Sequence, residues 1–442
     1  MMIKVSKFGG SSVANAHQFE KVKKIIQADK SRKFIVTSAC GKSNKDDNKV
    51  TDLLYVAHAH VKYKMSADDV FELIEKKYYG IKDELGLSVD LKKEFDKIKN
   101  DIKTNNDVDY LVSRGEYLTA IMLAEYLEAR FVDAKDVFAF NYDGSVDMNM
   151  TKEKMANYIS TEQKVVFPGF YGAMPDGKIK VMSRGGSDIT GAIVANIVDA
   201  DLYENWTDVS GILVCDPHIV ENPQSIKYIT YSELREMSYM GANVLHDETV
   251  FPAKEKNIPI NIKNTNDYDN PGTMIVDSCD EIDKREPQNL ITGITGKKGF
   301  SVIACIKNHI SSEVGFLRKV LSVFEKYNLS IESCPSSIDS VCVVVDTEKV
   351  KKYLYDIIST LKDELKCDDV YVTEGISLIA VVGRAMVNKK GMSGKIFATL
   401  GEHDINIKII SQGTDEICIV VGVESKDFEK AIKCIYDKFV SS

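Results

Sequence analysis

The sequence predicts an α/β protein, a mainly parallel sheet sandwiched by helices, followed by two smaller α+β modules. Three observations carry this. The chain opens with a strand, a glycine turn, a helix and a second strand, the order of a parallel β-α-β unit. Short apolar runs return between residues 164 and 262, most of them followed or split by glycine or proline. Residues 315–333 and 339–346 repeat without gaps, at an offset of 76, as residues 391–409 and 415–422. A length of 442 residues leaves room for roughly two to four domains.

Taken in order, Ile3 to Phe8 reads as the first strand and Lys33 to Thr37 as the second, with Phe19, Val22, Ile25 and Ile26 on one face of the helix between them. Residues 51–130 are rich in charge, free of proline and poor in strand signals. There Ser66-Ala67-Asp68-Asp69 resembles a capping box. After it Val70, Ile74, Tyr78, Ile81 and Leu85 step by 4, 4, 3 and 4 along a helix, so a helical insert that packs is expected. Strands follow at residues 164–167, 179–182, 202–206 and 258–262, and a helix over residues 192–197. Residues 278–290 are polar and break the pattern, which predicts a linker between a domain over 1–280 and modules over 291–372 and 373–442. Each module reads strand, helix, strand, strand, helix, and Val314, Leu317, Leu321 and Phe324 mark the buried helix face of the first. Two copies are too few for a solenoid.

Composition excludes several classes. Hydrophobic residues make up 44% and charged residues 28%, ordinary for a globular chain. No apolar run reaches the roughly 18 residues of a membrane span, and no signal peptide is read at the N-terminus. A net charge of −9 argues against general affinity for nucleic acid. The nine cysteines show no C-x-x-C spacing, so neither a zinc site nor a redox pair is signalled. Cys342 and Cys418 sit in apolar strand-like runs, as small hydrophobes do, and a reducing cytoplasm is expected.

Four stretches carry candidate chemistry. In Lys7-Phe8-Gly9-Gly10-Ser11-Ser12, a lysine and two glycines stand at the exit of the first strand. Neither G-x-x-x-x-G-K-[ST] nor G-x-G-x-x-G is met. Glycines still let N–H groups approach an anion, and Ser11 or Ser12 can cap the following helix, whose N-terminus attracts negative charge. On these residues alone, a phosphate cradle and a plain turn beside a surface lysine fit equally. In residues 183–191 glycines again join a strand to a helix; Arg184 suits a bidentate bond to a carboxylate, and Asp188 has an N-cap as its plain reading. Thr207 and Asp208 suit a base or ribose, or equally a turn after a strand, and Asp216-Pro217 follows. In Ser113-Arg114-Gly115-Glu116 the acid by itself reads as complementing the dipole at a helix start.

In combination KFGGSSV, SRGE, FPGFYG, RGGSDITG, WTDVSGI, the Asp216-Pro217 step and INIKNTNDYDNPGT, in that order over residues 1–276, resemble the aspartokinase branch of the amino-acid kinase family. The repeated modules resemble the paired, ferredoxin-like ACT domains that aspartokinases carry. The resemblance implies the amino-acid kinase fold, ATP with Mg2+ as phosphoryl donor, and phosphorylation of L-aspartate to 4-phospho-L-aspartate, first step toward lysine, threonine and methionine. It implies that Lys7 neutralises the transferring phosphoryl group and that Asp188 helps position it. Arg184 then matches the group holding the substrate α-carboxylate, and Glu116 the acid facing its α-amino group. Ser38, Ser43 and Ser187 match hydroxyls around the substrate, Ser43 standing where threonine is common. Gly9, Gly10, Ser11, Thr207, Asp208, Asp216 and Pro217 match the nucleotide side. Three positions depart from the pattern, all bearing on ATP: His218, Leu213 and Asn266 stand where arginine, tyrosine and lysine occur in other members.

The implied chemistry is economical in groups. An aspartate side chain, with a reference pKa of about 3.9, is already ionised and needs no general base. The obstacle is repulsion, about 4 kcal/mol for two unit charges about 4 Å apart at an effective dielectric of about 20. Lys7, N–H dipoles and Mg2+ offset it, so catalysis is by positioning and electrostatics.

For the first module the resemblance implies an effector pocket from Gly315, Phe316, Leu317, Ser330, Ile331, Glu332, Ser336 and Ser337, with Glu332 facing an ammonium group. Lysine is the first expectation, because the chain is monofunctional and its insert resembles the lysine-sensitive type; threonine is the alternative. Such pockets form where ACT domains of two chains pair, implying a homodimer or a dimer of dimers. Family members also exchange the strand near 291–296 between the two modules. Two other readings compete: an amino-acid-sensing binding protein with an inactive kinase half, and a related kinase acting on another carboxylate or a nucleotide. The joint presence of Lys7, Glu116, Arg184 and Asp188 speaks against the former, and SRGE, WTDVSGI and the paired modules against the latter.

Overall fold

A computed structural model describes residues 2–105, 107–159, 163–183, 185–242, 245, 247–283, 289–387 and 389–441. They fall into two compact units. The first comprises Met1–Ile212, Ser225–Tyr231 and Val244–Cys279, and the second Leu213–Gln224, Ser232–Asn243 and Asp280–Ser442. The division is therefore not a single cut near residue 280: two short stretches from before it are counted with the second unit.

The first unit contains β1 (Lys4–Phe8), β2 (Arg32–Thr37), β3 (Arg130–Phe131), β4 (Val165–Pro168), β5 (Tyr171–Ala173), β6 (Ile179–Val181), β7 (Leu202–Thr207), β8 (Tyr228–Thr230), β9 (Ile260–Asn264) and β10 (Thr273–Val276). Its main sheet runs β3-β4-β2-β1-β7-β9-β10-β8 and is parallel except where β9 meets β10. The run at 179–182 instead forms a separate antiparallel hairpin with β5. Strand β1 lies between β2 and β7, so the sheet grows through β2, β4 and β3 on one side of it and through β7, β9, β10 and β8 on the other. Such a switch point opens a crevice at the carboxyl ends of the strands. Lys7, Ser38 and Thr207 sit at those ends.

The helices are α1 (Ala16–Ala28), α2 (Val50–Lys62), α3 (Asp68–Leu85), α4 (Leu91–Asn105), α5 (Val108–Tyr126), α6 (Ala134–Val137), α7 (Met148–Ile159), α8 (Gly186–Ile197), α9 (Tyr231–Tyr239) and α10 (Asp247–Lys254), with α9 counted in the second unit from Ser232 on. The face read for α1, Phe19, Val22, Ile25 and Ile26, is buried. The glycine turn does not run straight into it. Gly10–Val13 makes one 3-10 turn, and Asn15, not Ser11 or Ser12, caps α1 by accepting the Gln18 N–H. The insert is α2 to α5, with Val70, Ile74, Tyr78 and Ile81 buried against its neighbours and Leu85 packed beside them. The capping box does not close. Ala67 is the N-cap of α3, and the Ser66 hydroxyl takes the Asp68 N–H at 3.1 Å, leaving Asp69 out. Helix α5 starts at Val108, capped by Asp107, so Ser113 to Glu116 lie in mid-helix and the helix-start reading of Glu116 is overturned.

The second unit contains α11 (Asp280–Asp283), β11 (Gly293–Ile306), α12 (Phe316–Glu325), β12 (Ile331–Ser333), β13 (Ser340–Asp346), α13 (Thr347–Val350), α14 (Leu354–Ser359), β14 (Asp369–Val382), α15 (Met392–Glu402), β15 (Ile409–Gln412), β16 (Cys418–Glu424) and α16 (Phe428–Phe439). Its antiparallel sheet runs β12-β13-β11-β14-β16-β15. The first part of β11, Gly293 to Lys298, pairs with Ser377 to Val382, which pair in turn with β16; its last part, Phe300 to Ile306, pairs with β13. One strand thus serves both modules. The repeat is visible in the backbone: Gly315 before α12 and Gly391 before α15 are both left-handed, at φ 79° and 84°. The α12 face differs from the one read. Phe316, Val320, Val323 and Phe324 are buried, while Val314 is 96% and Leu317 42% exposed. Both sets have helical spacing, and only packing chooses between them. The expected linker begins as α11, where Asp283 bonds the Arg384 guanidinium at 2.9 Å; residues 284–288 lie outside the described residues.

Candidate active site

A cleft of about 1100 Å³ in the first unit is lined by the carboxyl ends of β1, β2 and β7, the start of α8 and the first turn of α2. It brings together Lys7, Gly9, Gly10, Ser11, Ser38, Glu116, Ser187, Asp188, Thr207 and Asp208. Arg184 lies outside the described residues.

Lys7 is 7% exposed, and its ammonium stands 2.6 Å from Asp188 Oδ1. Asn205, on the neighbouring strand, donates to the same oxygen at 2.7 Å. Asp188 is therefore not an N-cap. Gly185 is, left-handed at φ 75°, and the Asp188 carboxylate is turned to the sheet. A cation and a carboxylate are thus held on adjacent elements, with 20% of the Asp188 side chain still open.

The floor of the cleft is two turns in contact. The Gly41 N–H donates to the Gly10 carbonyl at 2.9 Å. A Cβ on Gly41 meets the Gly10 carbonyl carbon at 2.5 Å, so only glycine permits this approach. Ser12 is structural, its hydroxyl donating to the Trp206 carbonyl at 3.3 Å and receiving the Thr265 hydroxyl at 2.7 Å. Phe170, also in the lining, is left-handed at φ 78°; the Thr190 hydroxyl holds its N–H at 3.0 Å. A bulky residue in that conformation is strained and persists only where neighbours enforce it.

At the other end, Glu116 is 4% exposed and its Oε2 has no hydrogen-bond partner among the described residues. Burial pushes its carboxyl up to about 8, against the pull of the Ala39 and Glu116 N–H groups and the Arg114 charge. Gly115 lets α5 come this close: a Cβ there meets the Ala39 Cβ at 2.8 Å. Arg114 itself faces away, its guanidinium 4.6 to 5.2 Å from the rings of Tyr110, Tyr117 and Tyr171.

Ser43 is not in the lining. Its hydroxyl donates to the Ala14 carbonyl at 3.1 Å, and its N–H to Asp47 at 2.7 Å. The hydroxyl that faces the cleft after the Ser38 turn is Thr51, in the first turn of α2, with Asp52 beside it. Sequence reading missed Thr51 because the residues between Gly41 and Val50 form a loop whose length hides the correspondence; the start of an apolar helical run at Val50 was the available signal. Lys42 and Lys49 also line the cleft.

Asp216 and Pro217 belong to the second unit, where the Asp216 carboxylate accepts the His218 N–H at 2.8 Å and its ring at 2.8 Å. Leu213 is in the same stretch. Asn266 receives Gln18 at 2.9 Å and Lys21 at 2.7 Å. Of the expected effector residues, Phe316 is 1% exposed in the core and offers a ligand only its backbone. Gly315, Leu317, Ser330, Ser336 and Ser337 are exposed, and Ile331 and Glu332 are half-buried on β12. Glu332 Oε2 is buried with no hydrogen-bond partner among the described residues.

The described residues hold no converging set of three or more His, Cys, Asp or Glu side chains suited to a metal, and no helix long and apolar enough to cross a membrane. None of the nine cysteines is in a disulfide.

Comparison with known proteins agrees with the fold and motifs. Residues 2–264 match the amino acid kinase family, and residues 379–439 match an ACT domain. The chain is 35% identical to aspartokinase 3 of Bacillus subtilis over 456 aligned positions, covering 99% of this chain and 98% of that one. Aspartate kinase from Clostridium acetobutylicum superposes with a TM-score of 0.90 at 48% identity, covering 99% of this chain and all of that one. Escherichia coli aspartokinase III, solved with aspartate and ADP, superposes at 0.75 with 25% identity, over 98% and 99% of the two chains. The chain belongs to the amino acid kinase family, among its aspartokinases.

Proposed function

We propose that this aspartate kinase works by holding two anions together across the cleft, with Lys7 and Asp188 at the phosphoryl end and Glu116 at the amino end of the substrate. One observation carries the reading: a buried ammonium and a buried carboxyl with one oxygen unpartnered among the described residues face the same cleft. The substrate's α-ammonium supplies the partner Glu116 lacks. Arg184, from the family resemblance, takes the α-carboxylate, and Ser38 and Ser187 bond the substrate. The side-chain carboxylate then points at Lys7.

ATP is the donor. The turns at Gly9, Gly10 and Ser11 and at Thr207 and Asp208 receive it, and Asp216 and Pro217 serve its nucleoside by resemblance. Asp188 and Asp208, both in the lining, would hold a Mg2+ ion arriving with the nucleotide, which would supply further neutralisation of the polyphosphate. An aspartate Oδ attacks the γ-phosphorus, the bond to the β,γ-bridging oxygen breaks, and ADP leaves with that electron pair. Lys7 offsets the charge gathered on the transferring group, and Asp188, itself held by Asn205, keeps Lys7 aimed. No proton is removed, so no base is needed. Purified chain with ATP, magnesium and L-aspartate forms an acyl phosphate that hydroxylamine traps as a hydroxamate. Absence of that product refutes the reading.

The ACT modules regulate the enzyme, and lysine is the proposed effector, with threonine as the alternative. Support comes from Glu332, whose buried open oxygen suits an ammonium, and from E. coli aspartokinase III, which has been solved with lysine. A pocket shared between paired modules makes the enzyme a dimer or a dimer of dimers, working in the cytoplasm. Lysine raises the aspartate concentration for half-maximal rate, and Glu332→Ala relieves it. Unchanged lysine inhibition in that variant removes Glu332 from the site.

A further inference from the structure

No residue of α3 lines the cleft, yet two adjacent side chains on it reach the cleft walls. Tyr78 is fully buried and donates its hydroxyl to the Gly115 carbonyl at 2.8 Å, with Thr119 Oγ1 3.0 Å away. Thr119 also bonds the Gly115 carbonyl at 2.9 Å and lies 3.4 Å from Cys40 Sγ. These contacts fix α3 against α5, one residue from Glu116. Lys77 then projects the other way. Its ammonium donates to the Asp47 carboxylate at 2.7 Å, to the Asn48 carbonyl at 3.3 Å and to the Gly41 carbonyl. Three donors meet three acceptors, with the Lys77 side chain only 12% exposed.

Those acceptors stand at both ends of one loop. It leaves the cleft after Ser38 and Gly41 and returns at Lys49 and Thr51, and residues 41–49 form no helix or strand. Such a loop takes its shape from whatever satisfies its polar groups. An exposed lysine pair on the insert contributes at most about 1 kcal/mol. Lys77 differs, because it is mostly buried and one of its acceptors is the backbone carbonyl of buried Gly41, which its loss leaves without this donor. The Asp47 carboxyl agrees: burial opposes its ionisation, but the Lys77 bond and the Ser43 N–H outweigh that and hold it below the ordinary carboxylate range.

We infer that Lys77 is a positioning residue for the aspartate side of the cleft, clamping Gly41, Asp47 and Asn48 so that Ser38 before the loop and Thr51 after it face the substrate together. The inference rests on the aspartate-side reading above. The insert is then part of the catalytic apparatus, through a residue that touches neither substrate.

The test compares the full-length wild type with Lys77→Met, Asp47→Asn and Lys99→Met. Lys99, on α4, pairs with Glu75 on α3 and serves as the control for general loosening of the insert. Aspartate binding is measured by calorimetry without nucleotide, and half-saturating aspartate and ATP by steady-state rates. Lys77→Met is expected to weaken aspartate about tenfold with half-saturating ATP within about twofold, Asp47→Asn to shift aspartate about threefold the same way, and Lys99→Met to shift neither. Aspartate affinity unchanged in Lys77→Met, equal shifts for both substrates, or the same shift in Lys99→Met overturns the inference. If Lys77→Met does not fold, Asp47→Asn decides, and an unchanged aspartate affinity there overturns it. A wild type that binds no aspartate overturns the underlying reading and this inference with it, an outcome distinct from wild type and variants binding alike.

Discussion

Glu204 and Glu116 are both buried in the first unit, at 2% and 4% exposure. Glu204 receives the Ser6 hydroxyl at 2.9 Å, Arg32 Nε at 2.7 Å and Nη2 at 3.0 Å, and Trp206 Nε1 at 3.1 Å. Every one of those donors is fixed by the strands β1, β2 and β7. Glu116 has an oxygen with no partner among the described residues, and its carboxyl is pushed up to about 8 by burial. A buried charge needs compensation. Where the chain supplies all of it, the group belongs to the fold. Where the chain leaves an oxygen open, the function proposed above gives that place to the substrate.

The sharpest way to break this contrast is Glu204→Gln. It strands Arg32 and is expected to lower stability by about 3–5 kcal/mol in urea unfolding while half-saturating aspartate stays within about twofold. A large KM change with unchanged stability reverses the assignment. Next, Lys7→Ala removes the cation at the phosphoryl end. It lowers kcat by about 100- to 1000-fold, as loss of one preorganised charge donor does elsewhere, with the urea midpoint little moved. Rates within about threefold of wild type refute the electrostatic role.

Glu116→Gln comes third, raising half-saturating aspartate by about 30-fold, the order of a lost charge-assisted bond. The pH dependence sharpens it. Folded Glu116 keeps its proton to about 8, whereas the unfolded group releases it near its ordinary value of 4.5. Between those values the folded chain binds more protons, so this group makes stability fall as pH rises through the window. Glu116→Gln flattens that part of the stability profile. In the wild type, aspartate binds better as pH rises toward about 8, because the ammonium pairs with the ionised form, and the variant loses this dependence. The smallest effect separates two hydroxyls. Thr51→Val raises half-saturating aspartate about fivefold, while Ser43→Ala, whose hydroxyl is already spent on Ala14, stays within about twofold. Equal effects remove Thr51 from the site.

Much of the first unit was legible because its signals are local. The strand before Lys7, the face of α1 and the stripe of α3 each follow from spacing within one element. The second unit shows where that stops. Two stripes with helical spacing overlap in α12, and burial of Phe316 and Val320, not pattern, selected one. Asp188 and Glu116 failed the same way: both read as acids at a helix start, but Asp188 is turned to Lys7 and Asn205, and Glu116 sits in mid-helix against the Ala39 turn. The loop between Gly41 and Val50 defeated counting: Ser43 lies outside the cleft lining and Thr51 within it.

By itself, then, the sequence determined the α/β class, the repeat of the C-terminal modules and most of the residue types that line the cleft, since glycine turns and apolar periodicity act over a few positions. Only the tertiary structure decided which of those side chains are satisfied and which are left open. Satisfaction depends on partners far apart in the chain, as with Ser6 and Glu204, 198 residues apart, or Lys77 and Gly41, 36 apart. Burial, which makes an open carboxylate costly, exists only once those distant segments are packed.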